Sequence, residues 1–77
     1  MVSEHIDNEV RQLRFMRGEM TQGELARRVG VSRQTIVAIE KGRYNPSVAL
    51  ALRIARVFEL PVERVFRLED GNSSPTP

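Results

Sequence analysis

Seventy-seven residues and 8.8 kDa make one small domain, which excludes a two-domain enzyme built around a deep substrate cleft. Hydrophobic residues are 40% and charged residues 29% of the chain, a globular composition, and the lack of cysteine excludes disulfides and thiolate metal sites. The net charge is only +2, yet all twelve bases lie between Arg11 and Arg67 with five acids among them, while the flanks hold acids alone.

A basic middle between acidic ends suits a polyanionic partner. Eleven of the twelve bases are arginine, whose planar fork matches phosphate and guanine edges. The longest apolar run, Val48 to Leu52, is far shorter than the ~20 residues that span a bilayer, so no membrane association is expected. The first ten residues carry Glu4, Asp7 and Glu9 and no lysine or arginine, which is not a secretory leader, and a cytoplasmic location is expected.

Residues 1–7 read as an N-terminal arm. A first helix is predicted from about Asn8 to Arg17, with Val10, Leu13 and Met16 on one stripe and Gly18 ending it. The second helix starts at a T-x-x-E capping box, Thr21 and Glu24, and buries Leu25, Ala26 and Val29. Gly30 supplies its left-handed stop, and Gly23 in its first turn is a mild cost. Ser32 caps a third helix from Arg33 to about Lys41 that buries Ile36 and Ile39 and closes at Gly42.

Asn45-Pro46-Ser47 breaks the chain, and Ser47 caps a fourth helix from Val48 to Phe58. Pro61 opens a short fifth helix through about Phe66. No segment alternates as a strand would. Residues 70–77 contain no apolar side chain and two prolines, the composition of a disordered tail. The expected fold is therefore an all-α domain of five helices over residues 8–69.

Two helices joined by so tight a turn cross at a wide angle, and small Ala26 lets their backbones approach. The third helix then has a buried face and a free one, the latter carrying Arg33, Gln34, Thr35, Val37 and Ala38 near its start. A recognition helix in the DNA major groove needs that arrangement. Arginine grips guanine, glutamine pairs with adenine, and small apolar groups meet a thymine methyl. Val37 and Ala38 also suit ordinary packing. Gln22 stands beside the free amides of the second helix, where a phosphate would bind. Lys41, Arg43, Tyr44 and Asn45 follow the third helix, where a loop can grasp the flanking strand.

The run Thr21-Gln-Gly-Glu-Leu-Ala-Arg-Arg-Val-Gly-Val-Ser-Arg-Gln-Thr-Ile-Val-Ala-Ile-Glu-Lys-Gly-Arg-Tyr-Asn-Pro-Ser47 resembles Cro/repressor-type (XRE-like) helix-turn-helix domains. The resemblance continues through Leu50–Ala55 and Pro61–Phe66 and is strongest to small stand-alone repressors of the cytolysin-repressor and restriction–modification controller types. It implies a bacterial, archaeal or phage transcriptional regulator that binds a palindromic operator as a homodimer. By position it makes Arg33, Gln34 and Ala38 base readers and assigns Gln22, Thr35 and Asn45 to the DNA backbone. With the free face and the following loop, the candidate base readers are Arg33, Gln34, Val37 and Ala38, and Ser32, Lys41, Arg43 and Tyr44 join the backbone set. It pairs Glu40 with Arg14 as a structural ion pair, and joins residues 2–6 to 66–70 as a short antiparallel ribbon. Gly23 and Ala49 stand where the family often has charges, and the Gly18-Glu19-Met20 loop is one residue longer.

The apolar arc of the fourth helix is about 220° wide, against the ~100° stripe that one core needs. Either the fifth helix and the chain ends cover the excess, or Val48, Leu52, Phe66 and Leu68 belong to a dimer seam. An antitoxin-like protein-interaction module on the same scaffold is the alternative function. Nonspecific coating of nucleic acid fits less well, because glutamine and alanine share the reading face with cations. No nucleophile constellation, phosphate loop or metal spacing is present, so neither an enzyme nor a cofactor is expected, and no effector pocket is inferable.

Overall fold

The computed structural model describes residues 6–68. In chain order these form strand β1 (Ile6–Asn8), helices α1 (Val10–Met16), α2 (Gln22–Val29), α3 (Arg33–Glu40) and α4 (Val48–Phe58), a 3-10 turn at Val62–Arg64 and strand β2 (Phe66–Leu68). The expected tail at residues 70–77 lies outside the described residues.

Local chemistry explains the boundaries. Thr21, Ser32 and Ser47 are extended residues whose hydroxyls accept the amides of Glu24, Thr35 and Leu50, so each of α2, α3 and α4 has a side-chain cap. α2 ends on Gly30 at φ +80°, and the chain leaves α3 through Gly42 at φ +75°. The predicted capping box is half realised. Thr21 accepts from Glu24, but the Glu24 carboxylate turns away to Arg27 and Arg28.

The first helix is shorter than its sequence spacing predicts. Asn8 belongs to the sheet, and its side chain bridges two elements: Oδ1 accepts from the Val10 amide and Nδ2 donates to the Ile39 carbonyl, both at 3.0 Å. The buried side of α1 is Val10 and Arg14, one turn apart, whereas Met16 is 76% exposed. Arg14 takes the inner place because its charge has a partner there. The longer loop after α1 is absorbed by two consecutive left-handed residues, Gly18 at φ +72° and Glu19 at φ +60°. It closes with the Met20 amide on the Arg14 carbonyl at 2.9 Å.

The fifth helix is replaced by the 3-10 turn. Only a few residues separate the left-handed end of α4 at Glu59 from β2, and Val65 must offer its carbonyl to the Glu9 amide at 3.0 Å. The chain completes a single tight turn and then goes extended. β2 pairs with β1 antiparallel, Ile6 opposite Leu68, Asp7 opposite Arg67 and Asn8 opposite Phe66. A ribbon thus exists among the described residues, joining Ile6–Asn8 to Phe66–Leu68, and it takes in Ile6 and Asp7 from the expected arm. Residues 2–5 lie outside the described residues. Among the described residues the fold is therefore four α-helices, a 3-10 turn and a two-stranded sheet, in place of the expected five helices.

One core joins these elements. Leu25, Ile36, Ile39, Ile54, Phe58 and Val65 are almost wholly enclosed, with α2 packed on both α3 and α4. Ala26 is buried at 3% exposure between them, small enough for close approach. Phe66 joins this core at 8% exposure, so it offers little surface to a second subunit, unlike Val48, Leu52 and Leu68, which are more than half exposed. Among the described residues no helix is long and apolar enough to cross a membrane.

Candidate nucleic-acid interface

Burial of Ile36 and Ile39 turns the opposite side of α3 outward. Arg33 and Gln34 are exposed in the first turn, Val37 and Ala38 are half-buried one turn later, and exposed Lys41 follows at the helix end. Thr35 lies to one side, its hydroxyl 3.1 Å from that of Ser32. Ser32 is thus committed to capping α3, with its Oγ also accepting the Thr35 amide at 3.2 Å. Arg43, Tyr44 and Asn45 are exposed in the segment leading to α4. The Arg43 amide is tied to the Ala38 carbonyl at 2.9 Å, so this segment starts from a fixed point at the end of α3.

Behind that face lies a buried polar knot. Arg14 donates from Nε to Glu40 Oε2 at 2.6 Å and from a terminal nitrogen to Oε1 at 3.0 Å, with both side chains less than a tenth exposed. Its remaining terminal nitrogen reaches the Met20 carbonyl at 2.7 Å. Gln22 donates to the same Glu40 Oε1 at 3.1 Å. One carboxylate therefore holds α1, the start of α2 and the end of α3 together. No buried side-chain polar atom among the described residues lacks a partner.

The acids are distributed so that this side keeps its positive charge. Glu24 neutralises Arg27 and Arg28, Asp7 and Glu9 face Arg67, and Glu59 lies 3.7 Å from Arg17. Arg28, then Arg27, hold the Glu24 carboxyl below its ordinary range. Among the described residues Arg11, Arg33, Lys41 and Arg43 have no carboxylate at ion-pair distance. Arg11, Arg33 and Lys41 border one open groove of about 850 Å³ between α1, the start of α2 and α3.

Sequence spacing missed three features here. The Gln22 amide is engaged by Glu40, a contact 18 residues away with no local signature. Arg53 of α4 donates to the Val29 carbonyl at 3.2 Å, fixing the last turn of α2 beside its left-handed stop. Arg11 and Phe15 on α1 border the groove, although the DNA-contact candidates lay on helices 2 and 3, their joint and the following loop. The signal for Arg11 was available in its spacing, since it lies one turn before Phe15.

A sequence model of helix-turn-helix proteins matches residues 10–65, which spans α1 to the end of the 3-10 turn. The chain belongs to the helix-turn-helix family, XRE type. It is 49% identical over 65 residues to YgzD of Bacillus subtilis, an uncharacterized HTH-type transcriptional regulator, covering 84% of this chain and 97% of that one. An uncharacterized HTH-type transcriptional regulator of Archaeoglobus fulgidus is 54% identical over 61 residues, 79% of this chain and 86% of the relative. A crystal structure from Bacteroides fragilis shares the fold, with a TM-score of 0.70 at 18% identity over 80% of this chain and 98% of the other. The helix-turn-helix itself is α2, the Gly30–Ser32 joint and α3.

Proposed function

We propose that this helix-turn-helix chain is a DNA-binding transcriptional regulator, a cytoplasmic repressor that inserts α3 into the major groove of a palindromic operator. The observation that carries this is the outward side of α3. Arg33, Gln34, Val37, Ala38 and Lys41 share it, and among the described residues its cations have no carboxylate at ion-pair distance. Arg33 and Gln34 stand at the leading turn, where side chains reach base edges, and Val37 and Ala38 suit apolar contact behind them. Lys41, Arg43, Tyr44 and Asn45 serve the backbone beyond, while Ser32 and Thr35 lie close to the phosphates at the start of α3. Gln22 keeps its carboxamide oriented by Glu40, and its second N–H serves a phosphate. The names of the relatives, HTH-type transcriptional regulators, support the same reading.

A homodimer fits this function, because two symmetric copies would place their α3 helices ~34 Å apart, one turn of duplex. Val48 at 77% and Leu52 at 51% exposure lie one turn apart on α4 and, with Leu68 at 65%, leave apolar surface for a partner copy. Selection of bound duplexes from a random pool tests the proposal. A two-fold symmetric consensus whose half-site centres are about ten base pairs apart is the expected result. Enrichment of no sequence would overturn operator recognition, and a single unrepeated half-site would remove the dimer.

A further inference from the structure

We propose that Arg11 and Phe15 of α1 form an additional DNA-backbone contact, outside the helix-turn-helix, at the far rim of the groove beside α3. The inference rests on the DNA-binding reading and names who holds the strand that crosses this groove. Phe15 is 52% exposed, which a small domain with a closed core does not need for packing. Its ring instead has two guanidinium groups within cation–π range. The Arg11 guanidinium lies 5.6 Å from the ring centroid and the Arg14 guanidinium 5.7 Å from it. Arg14 is immobilised by Glu40 and the Met20 carbonyl, so the ring beside it rests against a fixed group and in turn supports Arg11.

Arg11 is exposed and, among the described residues, faces no carboxylate at ion-pair distance. Across the groove stand Arg33 and Lys41, with Phe15, Met20 and Val37 as apolar lining. Glu40 also lines it but is neutralised by Arg14, which leaves Glu19 as the acid opposed to those three cations. A channel with cations on both rims and apolar walls between them is complementary to a sugar-phosphate strand. The rims meet phosphate oxygens and the walls meet deoxyribose carbons. A contact of this kind reads no bases, so it adds affinity to any duplex and position to the correct one.

The test compares Arg11→Gln, Phe15→Leu and, as a charge-matched control outside the groove, Arg64→Gln. Binding to the selected operator and to a scrambled duplex is measured between 50 and 200 mM salt, with thermal unfolding recorded for each variant. Arg11→Gln is expected to weaken both duplexes equally and to lower the log–log salt slope by about 0.9. Across that salt range it would lose about 3.5-fold less affinity than the wild type. Phe15→Leu, which keeps the charge but removes the ring, is expected to weaken both duplexes by less than Arg11→Gln. Arg64→Gln should leave the slope unchanged. An Arg11→Gln slope equal to that of Arg64→Gln overturns the contact, as does a loss confined to the operator. Wild-type protein that binds neither duplex overturns the DNA-binding reading itself, a separate outcome.

Discussion

The two sides of α3 treat charge in opposite ways. Toward α1, Glu40 is enclosed and satisfied by Arg14 twice and by Gln22 once. Toward solvent, Arg33 and Lys41 stand on a helix whose exposed side has no acid to answer them. The difference separates what builds the domain from what it offers. Buried charge works here as a three-way clamp on α1, α2 and α3, while Asp7, Glu9, Glu24 and Glu59 pair with arginines on other elements and leave Arg33 and Lys41 without a carboxylate at ion-pair distance among the described residues.

The clamp should be the most sensitive part of the molecule. Glu40→Ala leaves the Arg14 guanidinium buried without its counter-charge and orphans the Gln22 amide, and should cost about 3–5 kcal/mol in urea unfolding. Replacing both partners with Arg14→Met and Glu40→Leu removes the stranded charge and should recover most of that loss. A single substitution costing under about 1 kcal/mol would mean that the pair behaves as an exposed bridge, and the contrast between the two sides would fail.

The solvent side should respond in binding rather than in stability. Arg33→Ala is expected to lower operator affinity by about 1–3 kcal/mol, with little change on random duplex or in the unfolding midpoint. Equal losses on both duplexes would make Arg33 a phosphate contact. Paired with the expected Arg11→Gln result, a loss confined to the operator would place the sequence-reading and sequence-blind cations on opposite rims of one groove.

Much of this architecture was legible in the sequence because it is locally encoded. Thr21, Ser32 and Ser47 each announce a helix within three residues, and the Gly30 stop fixes where α2 yields to α3. What escaped depends on distant partners. Met16 fits the apolar stripe of α1 as well as Leu13 does, but Arg14 displaces it from the interior because Glu40 waits 26 residues away. The fifth helix has a plausible proline start, yet the demand of Glu9 and β1 for a strand at Phe66 cuts it to one turn. Likewise the face of α3 could be placed from periodicity alone, whereas the bond that occupies Gln22 could not.

The joints offer a finer version of the comparison. Gly30 and Glu59 both end helices in the left-handed region, at φ +80° and φ +59°. An added Cβ at Gly30 meets no atom within 4 Å, so Gly30→Ala tests backbone strain alone and should cost about 1–2 kcal/mol. Glu59→Gly runs the other way and should gain up to about 1 kcal/mol, because its exposed ion pair with Arg17 is worth little. Loss of stability in Glu59→Gly would show that the Arg17 contact outweighs the strain.

The smallest expected effect concerns the exposed counterpart of the Glu40 clamp. Glu24 also holds two partners, Arg28 at 2.8 Å and Arg27, but on an open surface. These two arginines lower its carboxyl from the ordinary 4.5, Arg28 contributing most. A carboxyl depressed in the folded state stabilises that state above the unfolded value, and the contribution disappears as pH falls through the folded value. Wild type and Glu24→Gln should therefore differ slightly in unfolding midpoint at pH 7 and converge in acid below that range. High salt at pH 7 should shrink the difference as well, because these charges are screened. A gap that persisted in acid would assign the role of Glu24 to helix packing rather than charge. The lesson from α3, that a carboxylate matters in proportion to its burial, would then not extend to α2.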